Sequence, residues 1–361
     1  MRIQPLDASS FNGQAEQALK GDLPFGRVFT PHMVSIEWDE AGGWHSAKLG
    51  RRENLAMDPA AMVLHYGQET FEGLKAHRQD GGRVVLFRAD RNAERMQRSC
   101  ERLCMPTLPI DDFVEACVAL THTEQAWVPQ REGASLYLRP TMVATEPALG
   151  VRPANKYLFF VLATATGPYF AKGFSGIRVK VEREMVRAAP GGLGTAKTGA
   201  NYVASLLSAM QAKAHGCEQV LWLDAIEHKY LEETGAANAF WVEKGKLCTP
   251  PTSDTILKGI TRDSLLRLAP AIGIPAEEKR LTIDELLSGI AAGSITEMFG
   301  AGTAAVVSPI GEILCDERVV KVGTGEPGPI STKLLKTIVD IQRGRIDDRF
   351  GWCKTVVEAK K

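Results

Sequence analysis

No apolar run in this sequence is long enough to cross a bilayer. The longest, YLFFVLATA at 157–165, has nine residues, whereas a transmembrane helix needs about 20. Residues 1–14, MRIQPLDASSFNGQ, hold no apolar stretch of the kind a secretory signal carries. Neither charge sign is in excess: 43 Lys and Arg balance 43 Asp and Glu. That disfavours a general binder of nucleic acid or of an anionic membrane, which would show a basic surplus. The seven cysteines are scattered, odd in number and without a CxxC pair. Neither a disulfide framework nor a zinc knuckle is indicated, and no metal is expected. Internal repeats, low-complexity tracts and long charge blocks are missing too. A reduced, cytoplasmic setting is the expectation.

What is present suits a packed protein. With 44% hydrophobic and 24% charged residues the chain can bury a core. Its 361 residues suggest two domains. Residues 1–165 read as a smaller α+β domain. RVVLF at 83–87, SLYLRPTMV at 135–143 and YLFFVLATA are strand-like. Asp90 is expected to cap a helix running to about Leu103, with Ala93, Met96, Cys100 and Leu103 inward. A second helix opens at Pro109, with Phe113, Val114, Cys117 and Val118 inward. TGPYFAKGFSG at 166–176 has little periodicity and reads as an interdomain linker. Residues 177–361 read as a larger C-terminal domain. IRVKVE (177–182) and VLWLD (220–224) are strand-like, and 239–249 a hairpin turning near Gly245. Residues 200–215 predict one helix with Val203, Leu206, Leu207 and Met210 inward. Thr282 to Glu285 form a capping box. Leu334, Leu335, Ile338 and Ile341 give the last helix its apolar face.

Four segments carry candidate chemistry. APGGLGTAKTGANY (189–202) places Lys197 among four glycines. It reads as a surface loop with a solvated lysine, as a reactive lysine, or as a phosphate loop lacking one glycine at Ala196, with Asp224 as a metal carboxylate. YLEETGAANAFWV (230–242) sets Glu232 and Glu233 either in an acidic turn or at a strand mouth facing a ligand. Gly259-Ile260-Thr261 opens a helix with Leu265, Leu266 and Leu268 inward; its first N–H groups suit a phosphate or belong to an ordinary capped helix. FGAGTAAVVS (299–308) is a glycine-rich strand entry with Thr303 as a hydroxyl donor.

Taken in order, HYGQETFEGLKA (65–76), NAERM (92–96), YLRP (137–140), GTAKTGANY (194–202), EETGAANAF (232–240), LKGITRDSLL (257–266) and FGAGTAA (299–305) resemble the fold-type IV pyridoxal-phosphate transaminases. Within them the pattern is that of the branched-chain amino acid aminotransferases, from about Leu23 to Ile346. The resemblance implies an α/β (α+β) protein of two domains, the larger one barrel-like and flanked by helices, with pyridoxal 5'-phosphate held between the two.

The same resemblance implies roles. Lys197 would bond the cofactor aldehyde and later move the substrate Cα proton. Glu233, favoured over Glu232 by its spacing to Gly235 and Asn238, would hold the ring nitrogen protonated. Arg95 would pair with the phosphate as a charged fork. Ile260 and Thr261 would add backbone N–H groups, Thr303 a hydroxyl, and Tyr202 a bond to the ring oxygen. Phe25, Tyr66, Phe71, Tyr137 and Tyr169 would wall the substrate pocket, joined by Thr303 and Ala304. Arg139 would meet the distal carboxylate of glutamate. Leu149 and Val151 would reach the pocket of a second subunit, implying a homodimer. The expected reaction moves the amino group of Leu, Ile or Val to 2-oxoglutarate. Two departures stand out: the CxxC pair of animal members is replaced by Ala304-Ala305-Val306-Val307-Ser308, and Ala236 stands where many relatives have Thr. Same-fold alternatives are a D-amino-acid transaminase or an aminodeoxychorismate lyase; the cross-class alternative is a phosphate-loop nucleotide hydrolase.

Overall fold

Apolar runs cut by turn residues pair edge to edge into two sheets, and the helices between them cover sheet faces. A computed structural model describes residues 1–168 and 173–359. The chain forms two compact units. One contains the described residues through 168 together with 196–199 and 339–359; the other contains 173–195 and 200–338. A division at a single linker does not capture this. The lysine segment is hydrogen-bonded to the first sheet, and the last strand pairs into that sheet as well.

The first unit is built on β1 (Val28–Phe29), β2 (His32–Asp39), β3 (Gly43–Arg51), β4 (Glu69–Phe71), β5 (Leu74–Arg78), β6 (Val84–Phe87), β7 (Ser135–Ala144) and β8 (Lys156–Thr166). The strand order is β3-β2-β8-β7-β5-β6, with β1 on β8 and β4 on β7. Short helices α1 (Asn12–Lys20) and α2 (Met62–Tyr66) precede the long pair α3 (Ala89–Arg102) and α4 (Ile110–Thr123). Alternate strand residues such as Val34, Ile36, Leu136, Leu138, Phe159 and Val161 pack with Ala93, Met96, Phe113 and Cys117 of that pair. Val114 and Val118, expected inward, are half-buried. Asp90 is not the cap of α3. The helix starts at Ala89 behind Arg88, whose φ is 52°, and Asp90 lies in the first turn, where its charge still suits the helix dipole.

The second unit contains β9 (Ile177–Glu182), β10 (Gln219–Leu223), β11 (Leu231–Thr234), β12 (Ala237–Glu243), β13 (Lys246–Thr249), β14 (Ala276–Glu278), β15 (Ile295–Gly302), β16 (Val306–Cys315) and β17 (Arg318–Lys321). Strands β9, β10, β11, β12, β15 and β16 pair in a closed ring, sealed where β11 meets β12. That seam is a two-residue hairpin whose Gly235 has φ +54°, a left-handed conformation that favours glycine. Side chains alternate across the sheet. Trp241 and Met298 join one apolar cluster, while Phe240 and Phe299 on the opposite face stack at 5.2 Å.

Helices α5 (Gly199–Ala204), α6 (Leu206–Ala214), α7 (Ile260–Ala271), α8 (Ile283–Ala291) and α9 (Pro329–Gln342) follow, and β18 (Cys353–Val357) returns to β6. The capping box at Thr282 opens α8 as expected. In α7 Leu265 and Leu268 are buried and Leu266 is half-buried; in α9 Leu334, Ile338 and Ile341 are buried and Leu335 is half-buried. The single helix expected over 200–215 is instead two, meeting at Ser205. Its apolar residues face out: Val203, Leu206, Leu207 and Met210 are exposed by 57–69%. The inward face of α6 is the small one, Ser208 and Ala212, and Ala212 packs with Val220 and Trp222 of β10. Small side chains allow that close approach. Part of the expected linker, residues 169–172 with Tyr169, lies outside the described residues. Among those described, no helix is long and apolar enough to cross a membrane.

Candidate active site

Lys197 precedes α5 in a stretch of small residues that lets its backbone lie against the first sheet. Its carbonyl accepts from Phe71 N at 3.0 Å and from Thr70 Oγ1 at 2.9 Å. Its N–H donates to Ser99 Oγ at 3.0 Å. With both backbone groups tied, the direction of the side chain is set, and Nζ lies 4.7 Å from the Phe71 ring centroid. Burial, followed by the Arg95 guanidinium, brings the amine down to about 8. Roughly a tenth of such an amine is uncharged at pH 7. The next two residues donate to Glu69, from Thr198 Oγ1 at 3.1 Å and from Gly199 N, pinning the chain that leaves the lysine.

Helix α3 turns a polar stripe, Asn92, Arg95 and Ser99, toward this segment, as residues at i, i+3 and i+7 do. Arg95 Nε and Nη2 each donate to the fully buried Glu72 carboxylate at 2.7 Å, and Asn92 Nδ2 adds a third bond at 2.7 Å. Burial pushes the Glu72 carboxyl up, but the Arg95 charge and these bonds hold it below its ordinary value. Tyr137 and Arg139 share one face of β7. Arg139 Nη2 donates to Tyr137 Oη at 3.1 Å, and the guanidinium lies 4.7 Å from the Phe71 ring centroid. Arg139 Nε is buried with no hydrogen-bond partner among the described residues. Phe25 meets Tyr137 edge to face at 4.9 Å. Gly73 is required beside it, since a Cβ there would come within 1.9 Å of Tyr137 Oη.

In the second unit, Glu233 is buried on β11. Its carboxylate accepts from Arg187 Nε at 2.7 Å, Asn238 Nδ2 at 3.1 Å and Leu257 N at 2.9 Å. Tyr202 of α5 and Glu233 line one small pocket together with Arg187, Asn201 and Asn238. Ile260 and Thr261 open α7 behind the N-cap Gly259. Thr303 and Ala304 lie half-buried in the turn between β15 and β16.

Tyr66 Oη donates to the Leu149 carbonyl within the same chain. Leu149 and Val151 are both exposed, Val151 by 85%. The structure therefore gathers Lys197, Arg95, Phe71, Tyr137, Arg139 and Phe25 in the first unit, and Tyr202 and Glu233 in the second. Sequence reasoning missed Glu72, Ser99 and Arg187. The helical spacing of Asn92, Arg95 and Ser99 could have revealed the stripe. Arg187 sits in EREMVRAA, which has no periodicity to read.

A half-buried lysine whose amine is partly uncharged at neutrality can add to an aldehyde, and a fixed buried carboxylate at a pocket can hold the proton of a ring nitrogen. These donors fit a pyridoxal cofactor. They do not fit a phosphate loop. Lys197 follows no strand, Gly191 N donates to the Asp254 carboxylate at 2.7 Å, and Asp224 accepts four backbone N–H groups from residues 226, 227, 229 and 230. The nucleotide-hydrolase alternative falls on that geometry.

Comparisons agree. The family model for amino-transferase class IV matches residues 69–313. The chain is 49% identical over 340 residues to a probable branched-chain-amino-acid aminotransferase of Streptomyces coelicolor, covering 94% of each. It is similar to the crystal structure of the Escherichia coli branched-chain amino acid aminotransferase, with TM-score 0.73 and 28% identity over 90% of this chain and 99% of that one. The T.th. branched-chain amino acid aminotransferase complexed with N-(5'-phosphopyridoxyl)-L-glutamate gives TM-score 0.71 and 28% identity, with 90% and 99% covered.

Proposed function

The chain belongs to the class IV aminotransferases, and on that premise we propose that it is a branched-chain-amino-acid aminotransferase working with pyridoxal 5'-phosphate. It moves the amino group of Leu, Ile or Val to 2-oxoglutarate by a ping-pong route, in the cytoplasm. The observation that carries the reading is Lys197: a backbone-anchored amine lowered to about 8, at the lysine of a family motif. The phosphopyridoxyl compound complexed with the T.th. relative supports the choice of cofactor. The same-fold alternatives, a D-amino-acid transaminase or an aminodeoxychorismate lyase, have no comparable support beside a relative at 49% identity.

When bound, the cofactor supplies an aldehyde carbon for amine exchange and a conjugated ring that accepts the electron pair left at substrate Cα. Lys197 Nζ takes the proton from that Cα, which its lowered basicity allows at neutral pH. Glu233, held by three donors, keeps a proton on the ring nitrogen. Arg95, Ile260, Thr261 and Thr303 would hold the phosphate when it is bound, and Tyr202 would bond the ring oxygen. Arg95 is positioned for this by its buried pairing with Glu72.

Phe25, Tyr66, Phe71 and Tyr137 would give an aliphatic side chain apolar walls; Thr303 and Ala304 are assigned to substrate binding as well, as is Tyr169, which lies outside the described residues. Arg139 receives the distal carboxylate of the acidic substrate. The protein acts as a homodimer. Two observations support this: Leu149 and Val151 are exposed, and so is the apolar stripe on α5 and α6. Such stripes mark interfaces when they are contiguous. The visible spectrum of the purified protein tests the reading. A yellow protein whose absorbance shifts to that of the amine form on adding leucine supports it; a colourless protein that gains no band from added cofactor overturns it.

A further inference from the structure

Strand β11 carries two carboxylates side by side, and because neighbouring strand residues point to opposite faces, only one of them lines the Tyr202 cavity. The other, Glu232, lines a larger, open cavity. Glu232 is nonetheless buried, and its Oε2 has no hydrogen-bond partner among the described residues. Its Oε1 accepts from the Thr255 hydroxyl.

The two carboxylates are joined through a short polar chain. Arg187 Nη1 donates to the Thr255 carbonyl at 2.7 Å, while Arg187 Nε donates to Glu233 Oε2 at 2.7 Å. One guanidinium thus spans the residue that binds Glu232 and the carboxylate at the Tyr202 cavity. From the other side, Leu257 N, two residues beyond Thr255, donates to Glu233 Oε1.

We propose that Glu232 is a positioning residue for Glu233: its charge, acting through Thr255 and Arg187, sets how strongly Glu233 holds a proton at the ring nitrogen. This rests on the reading that Glu233 serves the cofactor ring. When Glu232 is ionised it repels Glu233 and draws on the Arg187 charge, so Glu233 becomes more basic. When Glu232 is protonated, Arg187 is left to Glu233 alone, and the carboxylate is a weaker base.

Glu233 raises the proton affinity of Glu232 and Arg187 lowers it. Asp224 adds repulsion but is tied by its four backbone donors. Glu227, Asp254 and Arg280 border the cavity, with Asp254 bound to Gly191 N and Arg280 lying over the Tyr230 ring at 3.6 Å. Burial outweighs the Thr255 bond and moves the Glu232 carboxyl up to about 7. The open cavity gives that proton a path to solvent.

The test compares the holoenzyme with Glu232→Gln, whose amide oxygen still accepts from Thr255. In the native protein the single-turnover rate with leucine rises several-fold through about pH 7; in Glu232→Gln that step is lost, while titration of other groups persists. Melting temperature supplies a readout independent of turnover. A carboxyl whose folded pKa is raised loses stability as pH climbs from its unfolded value near 4.5 through about 7. Native protein should therefore lose a few degrees over that range that Glu232→Gln does not. Thr255→Val, which weakens the ionised form, should move the rate step to higher pH, and it serves if Glu232→Gln fails to fold. A step and a melting profile unchanged in Glu232→Gln overturn the proposal. A Glu233→Gln protein with a normal half-reaction overturns the parent reading instead, whatever Glu232 does.

Discussion

Arg139 keeps a buried Nε without a partner among the described residues, and leaving such a donor unsatisfied costs about 1–3 kcal/mol. A substrate carboxylate would relieve it; a leucine side chain has nothing to offer. Arg139→Met should therefore weaken the 2-oxoglutarate half-reaction by on the order of 2–5 kcal/mol and leave the leucine half-reaction much less affected. Measuring both half-reactions beside the melting temperature decides the matter, since equal damage to both with a lower melting temperature would make Arg139 a structural tie. Lys197→Ala should abolish turnover while the protein remains folded, because the backbone anchors of residue 197 use no side-chain atom of the lysine. Borohydride reduction of the native holoenzyme followed by peptide mapping should label Lys197; a label on Lys75, another half-buried lysine whose amine is lowered to about 8, would shift the assignment. At this scale the sequence is informative where a residue sits inside an ordered motif, as Lys197, Arg95 and Glu233 do. It is silent about Glu72 and Arg187, because the partner of a buried charge is chosen by tertiary approach and leaves no local spacing.

Helices α5 and α6 show the limit of periodicity at the level of elements. Val203, Leu206, Leu207 and Met210 recur as a helix face should, and the face is real, but it points outward. A 3.6-residue repeat shows that a surface needs covering and does not say whether the cover is the chain's own core or a second copy. The strands were more legible, since turn glycines and two-residue alternation mark both their ends and their faces. If the proposed homodimer forms through this face, replacing Leu207 and Met210 with Glu should leave the fold intact and give a monomer. Sedimentation or light scattering would show it, and a variant that keeps the native mass would remove α6 from the interface.

The whole molecule combines an open sheet with a closed ring; the ordered motifs imply a barrel-like larger domain through their family resemblance, but composition and periodicity do not show which strands pair. Both sheets depend on pairings far apart in sequence, β9 with β16 and β6 with β18. Such pairings have no short-range signal. Ending the chain at Phe350 should therefore destabilise the N-terminal unit and not only its own vicinity. Val84 to Phe87 would lose their neighbour strand and become an open edge prone to aggregation. Limited proteolysis should then cut first within residues 1–168; cleavage confined to 173–338 would contradict this.

The same pairing has a consequence for how the protein is made. Cys353 lies opposite Phe87, so the first sheet cannot be finished when its early strands leave the ribosome. At about 5–20 residues per second, translation of the intervening chain takes on the order of ten seconds or more. During that interval the β6 edge waits without its final partner, beside other nascent chains bearing the same edge. The cell must either shield that edge or synthesise the protein sparsely enough that two of them seldom meet.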